Sequence, residues 1–416
     1  MKKTKKRTSK RKEKKGEVLA NIKVVGIGGG GGNAVARMSR NFIRGVEFVA
    51  INTDHQDLNQ CAVRRKIYIG RNLTKGLGTG MNPDLGRQAA EENKSEIADA
   101  LAGADLVFVA AGLGGGTGTG AAPIVAEAAK QSGALTIAVV TKPFAFEGAQ
   151  RDRIAREGLV KLKDKVDAII VVPNDRIFNV ISKDTPIIKA FDAIDDVLRN
   201  ALNGIVELII APGIINVDFA DVKTIIQDAG AAIIGVGIGS GAERAQNAVN
   251  LALNSPLLEV SAEGAKAVLL GISGGRDLKM NEVNDAAKLV AQVADPGARI
   301  IFGAYRDGNL RPNQVKVTLI ATGLNGGQPN SLFLGHAGDK HQSHGAANVE
   351  PVYGDDKAKR GIADSGKTQA FKFKGGDTSQ PAEKRNEESP AEKTAASKSD
   401  SEWDFPTFLR KHKNRK

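Results

Sequence analysis

Between Leu106 and Lys130 the chain leaves an apolar run, Leu106 to Ala111, and passes through Gly112-Leu-Gly-Gly-Gly-Thr-Gly-Thr-Gly120. It then enters a helical pattern, Ala121 to Lys130. Six glycines in nine residues free the backbone for left-handed conformations and leave amide N–H groups uncovered at the start of a helix. A strand feeding such a turn builds a cradle for an anion, above all a phosphate. The structural alternative is a tightly packed or flexible strand-to-helix turn, the commoner use of paired glycines.

A second glycine run lies upstream. Ile22 to Val25 reads as a buried strand, Gly26-Ile-Gly-Gly-Gly-Gly-Gly-Asn33 as a turn, and Ala34 to Phe42 as a helix. Gly26, Gly28 and Gly31 satisfy the dinucleotide fingerprint, and the next strand, Val46 to Asn52, closes on Asp54. Taken alone, this suggests a dinucleotide-binding oxidoreductase, which stays the alternative reading. Five consecutive glycines exceed that fingerprint, however, and one such turn has no use for a second glycine loop. Two loops imply a longer polyphosphate.

The alternation continues with a strand at Lys66 to Ile69, the loop Gly76-Leu-Gly-Thr-Gly-Met-Asn-Pro83, a helix from Asp84 to Leu101 and the strand at Leu106. Beyond the central loop come a helix at 121–132, a strand from Leu135 to Val140, a helix at 151–164 and a strand from Ala168 to Val172. Strands separated by helices of ten or more residues require crossover connections, hence an α/β fold of Rossmann-like type with a mainly parallel sheet. Ligands in such sheets bind at the carboxyl ends of strands. All three glycine loops follow strands in this reading. Thr185-Pro186 offers a capping hydroxyl ahead of a proline at the first helical position, and apolar residues recur from Ile187 to Leu208. One long helix from Pro186 to about Ala211 would run roughly 39 Å.

After it a second α/β block follows, with helices at Asp221 to Asp228, Ala242 to Asn254 and Met280 to Val293. Its strands are expected at Ala231 to Gly237, Val268 to Ile272, Arg299 to Tyr305 and Gln314 to Thr322. The last two adjacent β-rich runs imply antiparallel or mixed pairing. Residues 325–400 are polar and aperiodic, the composition of a flexible linker. The chain thus divides into a basic arm (1–19), a nucleotide-binding domain (20–184), a central helix (185–212), a second domain with a mixed sheet (213–324), the linker, and a terminal peptide (401–416) in which Phe405, Phe408 and Leu409 return as docking residues.

Charge narrows the partners. The net charge is +12, but residues 1–15 contribute +9 and residues 409–416 contribute +5, leaving −2 between them. The body has no global footprint for nucleic acid, and only the tails are suited to an anionic surface. The single Cys61 rules out an internal disulfide framework, and no apolar run is long enough to span a bilayer, so a cytoplasmic location is expected. Two motifs are set aside. Gly361-Ile-Ala-Asp-Ser-Gly-Lys-Thr368 matches the P-loop expression but lies in the linker with no strand before it. His336, His341 and His344 lack both cysteine partners and a surrounding fold.

Set together, these motifs resemble the tubulin/FtsZ family. Its signature G-G-G-T-G-T-G stands here at Gly114 to Gly120, joined by Gly28 to Asn33, Thr141-Lys-Pro-Phe-Ala-Phe-Glu-Gly148, Pro173-Asn-Asp175 and Asn216-Val-Asp-Phe-Ala-Asp221. The resemblance implies a GTPase that binds GTP/GDP with Mg²⁺ and polymerises head to tail into the filaments of a division ring at midcell. It implies phosphate contacts at Gly29, Gly30, Gly31, Gly32, Asn33, Gly116, Thr117 and Gly118. It also implies ribose or base contacts at Glu147, Arg151, Asn174, Phe191 and Asp195, while no metal-ligating side chain is expected. Asp218 and Asp221 would act on the nucleotide of the adjacent subunit. Their structural alternative is an N-cap with a favourable charge at a helix start. The terminal stretch Asp404 to Arg410 resembles the family's docking peptide for membrane tethers and regulators, with Phe405 where an aliphatic residue is usual. A third reading is a filament scaffold that does not hydrolyse.

Overall fold

A computed structural model describes residues 20–324 apart from 41–44, 183, 212, 256–259 and 309. The basic arm, the linker with its P-loop-like and histidine stretches, and the terminal peptide lie outside the described residues. The first half alternates as its hydrophobic pattern dictates. Strands β1 (Ile22–Ile27), β2 (Val46–Asn52) and β3 (Arg65–Tyr68) are interleaved with helices α1 (Gly28–Met38) and α2 (His55–Gln60). Then come the short α3 (Arg71–Thr74), α4 (Pro83–Glu92), α5 (Lys94–Leu101), β4 (Leu106–Gly112), α6 (Thr117–Gln131), β5 (Leu135–Lys142), α7 (Ala149–Lys163) and β6 (Ala168–Pro173). The long α8 (Ile187–Ile210) leads into β7 (Gly213–Ile215), α9 (Phe219–Ile226), β8 (Gly230–Ser240), α10 (Arg244–Leu253), β9 (Ala267–Gly274), α11 (Met280–Val293), β10 (Arg299–Arg306) and β11 (Gln314–Thr322).

The eleven strands of the described residues form one sheet in the order β3-β2-β1-β4-β5-β6-β8-β11-β9-β10-β7. Pairing is parallel from β3 to β8, and β8 continues β6 through three residue pairs beginning Ala168 with Gly230. Because successive strand residues face opposite ways, Val25, Val107, Val109 and Ala138 pack under α4–α7, while Val24, Phe108, Ile137 and Ile170 pack under α1, α8 and α9. A separate apolar cluster gathers β9 and β11 beneath α10 and α11. The edges are short: four residues in β3 and three in β7.

Five local expectations change. Glycines 28–32 are the opening of α1 and not a loop before it; Gly28, at φ +69°, turns the chain directly from strand into helix. The helix expected over 84–101 breaks at Asn93, whose Oδ1 accepts the Gly70 amide at 3.0 Å. The loop at Gly76–Gly80 follows α3 and not a strand. Thr185 does not cap α8: its hydroxyl bonds Ser182 at 3.0 Å, and Pro186 occupies the N-cap position without a side-chain bond. The last two strands do not pair with each other. β11 inserts antiparallel between β8 and β9, while β10 runs parallel to β9, so the sheet is mixed as expected but by another route.

Candidate functional site

The carboxyl ends of β1, β4, β5 and β6 open onto a cleft of about 670 Å³. Helices α1 and α6 both begin in it. Neither has a side-chain N-cap or an acid in its first turn, so unpaired amides and two positive dipole ends converge on the same space. Among the described residues lining the cleft, Arg151 alone is basic, and it is paired with Glu147 at 2.5 Å. What the cleft offers an anion is therefore chiefly backbone amides.

The glycines divide by what surrounds them. A Cβ on Gly31 would lie 2.3 Å from the Ala110 carbonyl oxygen, and one on Gly118 would lie 2.5 Å from that of Gly112. These two let α1 and α6 press against β4. Gly115 has nothing within 4 Å of its Cβ position, so it faces the open cradle. Of the residues expected to hold phosphate, Gly29, Gly30, Gly31, Gly116, Thr117 and Gly118 line the cleft. Gly32, buried, and Asn33, exposed, lie further along α1 and do not line it. Thr117 has its backbone amide to offer rather than its hydroxyl, which is already engaged by Thr53 at 2.6 Å and Thr79 at 3.0 Å.

Glu147, Arg151, Asn174, Phe191 and Asp195 all line the same cleft. The Glu147 carboxylate accepts from the Phe144 amide at 2.9 Å as well as from Arg151. Phe191 stands edge-on to Phe144 with centroids 5.7 Å apart and keeps a free face, being 42% exposed. Asn174 Oδ1 is buried without a hydrogen-bond partner, an orphan acceptor that a ligand N–H or O–H would satisfy. Asp195, its side chain 18% exposed, has its carboxyl pushed up to about 6 by burial, against the pull of the Arg37 guanidinium. Arg37 bonds Asp195 and also Asp192, the latter at 2.8 Å.

Sequence reasoning missed part of the far wall. Asn52 Oδ1 accepts the amides of Thr53 at 2.8 Å and Asp54 at 3.3 Å, and its Nδ2 donates to Asp57 at 2.6 Å. Burial, reinforced by the neighbouring Asp54, raises the Asp57 carboxyl above its ordinary range. Asn52, Asp54 and Asp57 and the loop Leu77–Met81 line the cleft. The available signal was positional, since Asn52 to Asp57 follow a strand end and the loop is glycine-rich. The lining residues after β5 and β6, the two glycine turns after β4 and β1, and Asn52–Asp57 after β2 thus follow strand order. Four inter-strand gaps span roughly 19 Å, the scale of an extended nucleoside triphosphate.

Asp218 and Asp221 stand elsewhere. Asp218, exposed, occupies the N-cap position of α9, and its amide donates to the Asp221 carboxylate at 3.3 Å. Neither lines the cleft. Another cavity, about 390 Å³ between α4, α6 and α7, contains none of the residues expected to bind ligand.

Comparisons with known proteins give the family. Residues 21–182 match the Tubulin/FtsZ family GTPase domain, and residues 230–325 match the FtsZ family C-terminal domain. An FtsZ dimer from M. jannaschii is 48% identical, with a TM-score of 0.69 over 74% of this chain and 89% of that one. CetZ2 from Haloferax volcanii, solved as a GTPγS-bound protofilament, is 24% identical at a TM-score of 0.65, covering 75% of this chain and 96% of that one. CetZ1 from the same organism, a GDP-bound monomer, is 22% identical at 0.65, covering 75% and 97%. At those identities the CetZ likeness bears on fold alone. With 48% identity across most of both chains and both domain families matched in order, the chain belongs to the tubulin/FtsZ family of GTPases.

Proposed function

We propose that this GTPase polymerises head to tail and hydrolyses GTP at the junction between subunits, forming filaments of a division ring. The observation that carries the reading is the separation of Asp218 and Asp221 from the cleft. They stand exposed or half-exposed at the start of α9, suited to a nucleotide held by another copy. The dimer and protofilament states of the relatives support self-association. The FtsZ C-terminal domain match and the higher identity to FtsZ favour the division role over a CetZ-like one.

In this reading the amides of Gly29 to Gly31 and Gly116 to Gly118 hold the phosphates. Asn174, Phe191 and Asp195 receive the base, with Glu147 and Arg151 beside the ribose. Asp218 and Asp221 of the next subunit orient and polarise water. Among the described residues no group of three or more His, Cys, Asp or Glu forms a metal cage. The carboxylates of Asp54 and Asp57, which line the cleft, are the oxygen donors that would hold a Mg²⁺ beside the phosphates. The ion neutralises phosphate charge when bound. Asp404 to Arg410 would dock a membrane tether or regulator at midcell, and the basic tails would meet anionic surfaces.

GTP turnover measured against protein concentration tests the assembly mechanism. A threshold is expected below which turnover vanishes; first-order dependence from the lowest concentrations would refute it. Asp195 supplies a second test. Donors on a guanine ring favour its ionised form, so nucleotide binding must expel a proton below pH 6. Affinity for GTP should be level above about pH 7 and fall by up to about tenfold per pH unit below 6. Titrations from pH 5 to 8 read this directly, and Asp195→Asn should flatten the profile.

A further inference from the structure

We propose that Thr79 is a positioning residue whose hydroxyl, acting through Thr117, holds the loop 76–80 in its binding shape before nucleotide arrives. The inference rests on the cleft being the nucleotide site.

Three hydroxyls from three elements meet under the floor of the cleft: Thr53 after β2, Thr117 at the first residue of α6, and Thr79 in the loop. Thr117 Oγ1 lies 2.6 Å from Thr53 Oγ1 and 3.0 Å from Thr79 Oγ1. All three residues are buried, with relative exposures of 0%, 8% and 7%. A hydroxyl has one proton and two acceptor lone pairs, so Thr117 can donate to one neighbour while accepting from the other, closing a short chain. Thr79 Oγ1 also fills the space over Gly116, where a Cβ would approach it to 2.2 Å. The glycine before α6 is therefore matched to this threonine as much as to a ligand.

The loop needs such a hold. Five of the seven residues from Lys75 to Met81 have positive φ, and two of them, Lys75 at 51° and Met81 at 63°, carry side chains. That conformation is unfavourable for a bulky residue and persists only where the surroundings enforce it. Leu77, 84% exposed, adds little packing. Besides its backbone bonds, the loop is fastened from inside the cleft by the Thr79 hydroxyl. The fastening point is the Thr117 hydroxyl at the start of α6, which Thr53 also holds at 2.6 Å, so losing the Thr79 bond frees the loop while the helix start keeps its own tie. By strand order the loop belongs to the β2–β3 end of the cleft, opposite the base. Its pre-organisation should favour a ligand with a third phosphate over one with two, because ordering the loop on binding would otherwise cost affinity.

The test compares Thr79→Val, which keeps the shape and removes the hydroxyl, with Thr79→Ser, which keeps the hydroxyl. Affinities for N-methylanthraniloyl-GTP and -GDP are measured at protein concentrations below assembly. Thr79→Val is expected to weaken GTP binding about 5- to 10-fold, the scale of one buried hydrogen bond. GDP binding should change by less than about twofold, and Thr79→Ser should stay within about twofold of the parent protein. In steady state KM should rise with kcat nearly unchanged. Unchanged GTP affinity in Thr79→Val, equal losses for GTP and GDP, or equal losses in the Val and Ser variants would each overturn the proposal. If Thr79→Val lowers the melting temperature, Thr79→Ala, which adds no branch, is read by the same criteria. Parent protein that fails to bind either nucleotide would instead refute the cleft reading and this proposal with it.

Discussion

Asp221→Ala is expected to bind GTP as the parent does, to form filaments, and to lose at least about 100-fold of its GTP turnover, the scale of removing a positioned acid–base group. Binding survives because Asp221 contributes nothing to the cleft lining. Folding survives because the residue is only half-buried, and its bond to the Asp218 amide, at 3.3 Å, is long. Losing that contact at the first turn of α9 costs at most about 1 kcal/mol, too little to unfold a body of this size. Nucleotide binding by fluorescence, filament yield by sedimentation and phosphate release separate the three properties. An isolated variant that no longer binds GTP would mean that the residue belongs to its own subunit's cleft.

The second large effect comes from the glycines. Gly31→Ala should destabilise the fold and abolish nucleotide binding, whereas Gly115→Ala should leave the fold intact and weaken binding alone. Alanine in a helix gains about 1 kcal/mol over glycine, but at position 31 its methyl would meet the Ala110 carbonyl at 2.3 Å. Parting α1 from β4 to relieve that contact costs about 1–3 kcal/mol or more, and it moves the amides that form the cradle. The clash therefore outweighs the propensity, and the melting temperature should fall by several degrees. Gly115 has negative φ and open space, so its methyl enters the cleft and meets only the ligand. Thermal melts alongside GTP titrations decide the matter; equal melting temperatures for the two variants would contradict the division of the glycines into packed and open.

What the sequence disclosed and what it hid follow from the range of the interactions involved. Gly28 to Gly31, Gly116 to Gly118 and the α/β alternation are local patterns: each glycine run sits beside the strand and helix that use it. The place of Phe191 and Asp195 in the cleft wall is reached only through the family resemblance, since a helix face alone does not say what lies opposite. The engagement of Thr117 by Thr79 and Thr53 joins positions 38 and 64 residues apart, and no periodicity encodes it. The same holds for Asn93, which breaks a helix because its side chain answers Gly70, and for β11, whose place between β8 and β9 is settled by tertiary packing. Gly32 and Asn33 belong to the motif but lie beyond the cleft lining, because the helix starts earlier than the glycine run suggests.

A protein that gathers copies of itself at high local concentration exposes every unpaired strand to the same strand on its neighbours. Here the sheet of eleven strands ends in β3, with four residues, two of them Arg65 and Lys66, and in β7, with three. Such edges offer too few consecutive amides and carbonyls to template another chain, and the β3 charges repel a second copy. Crowding is therefore not expected to lead to irreversible growth through these edges. In the proposed filament, copies would then meet through side-chain surfaces that can part again.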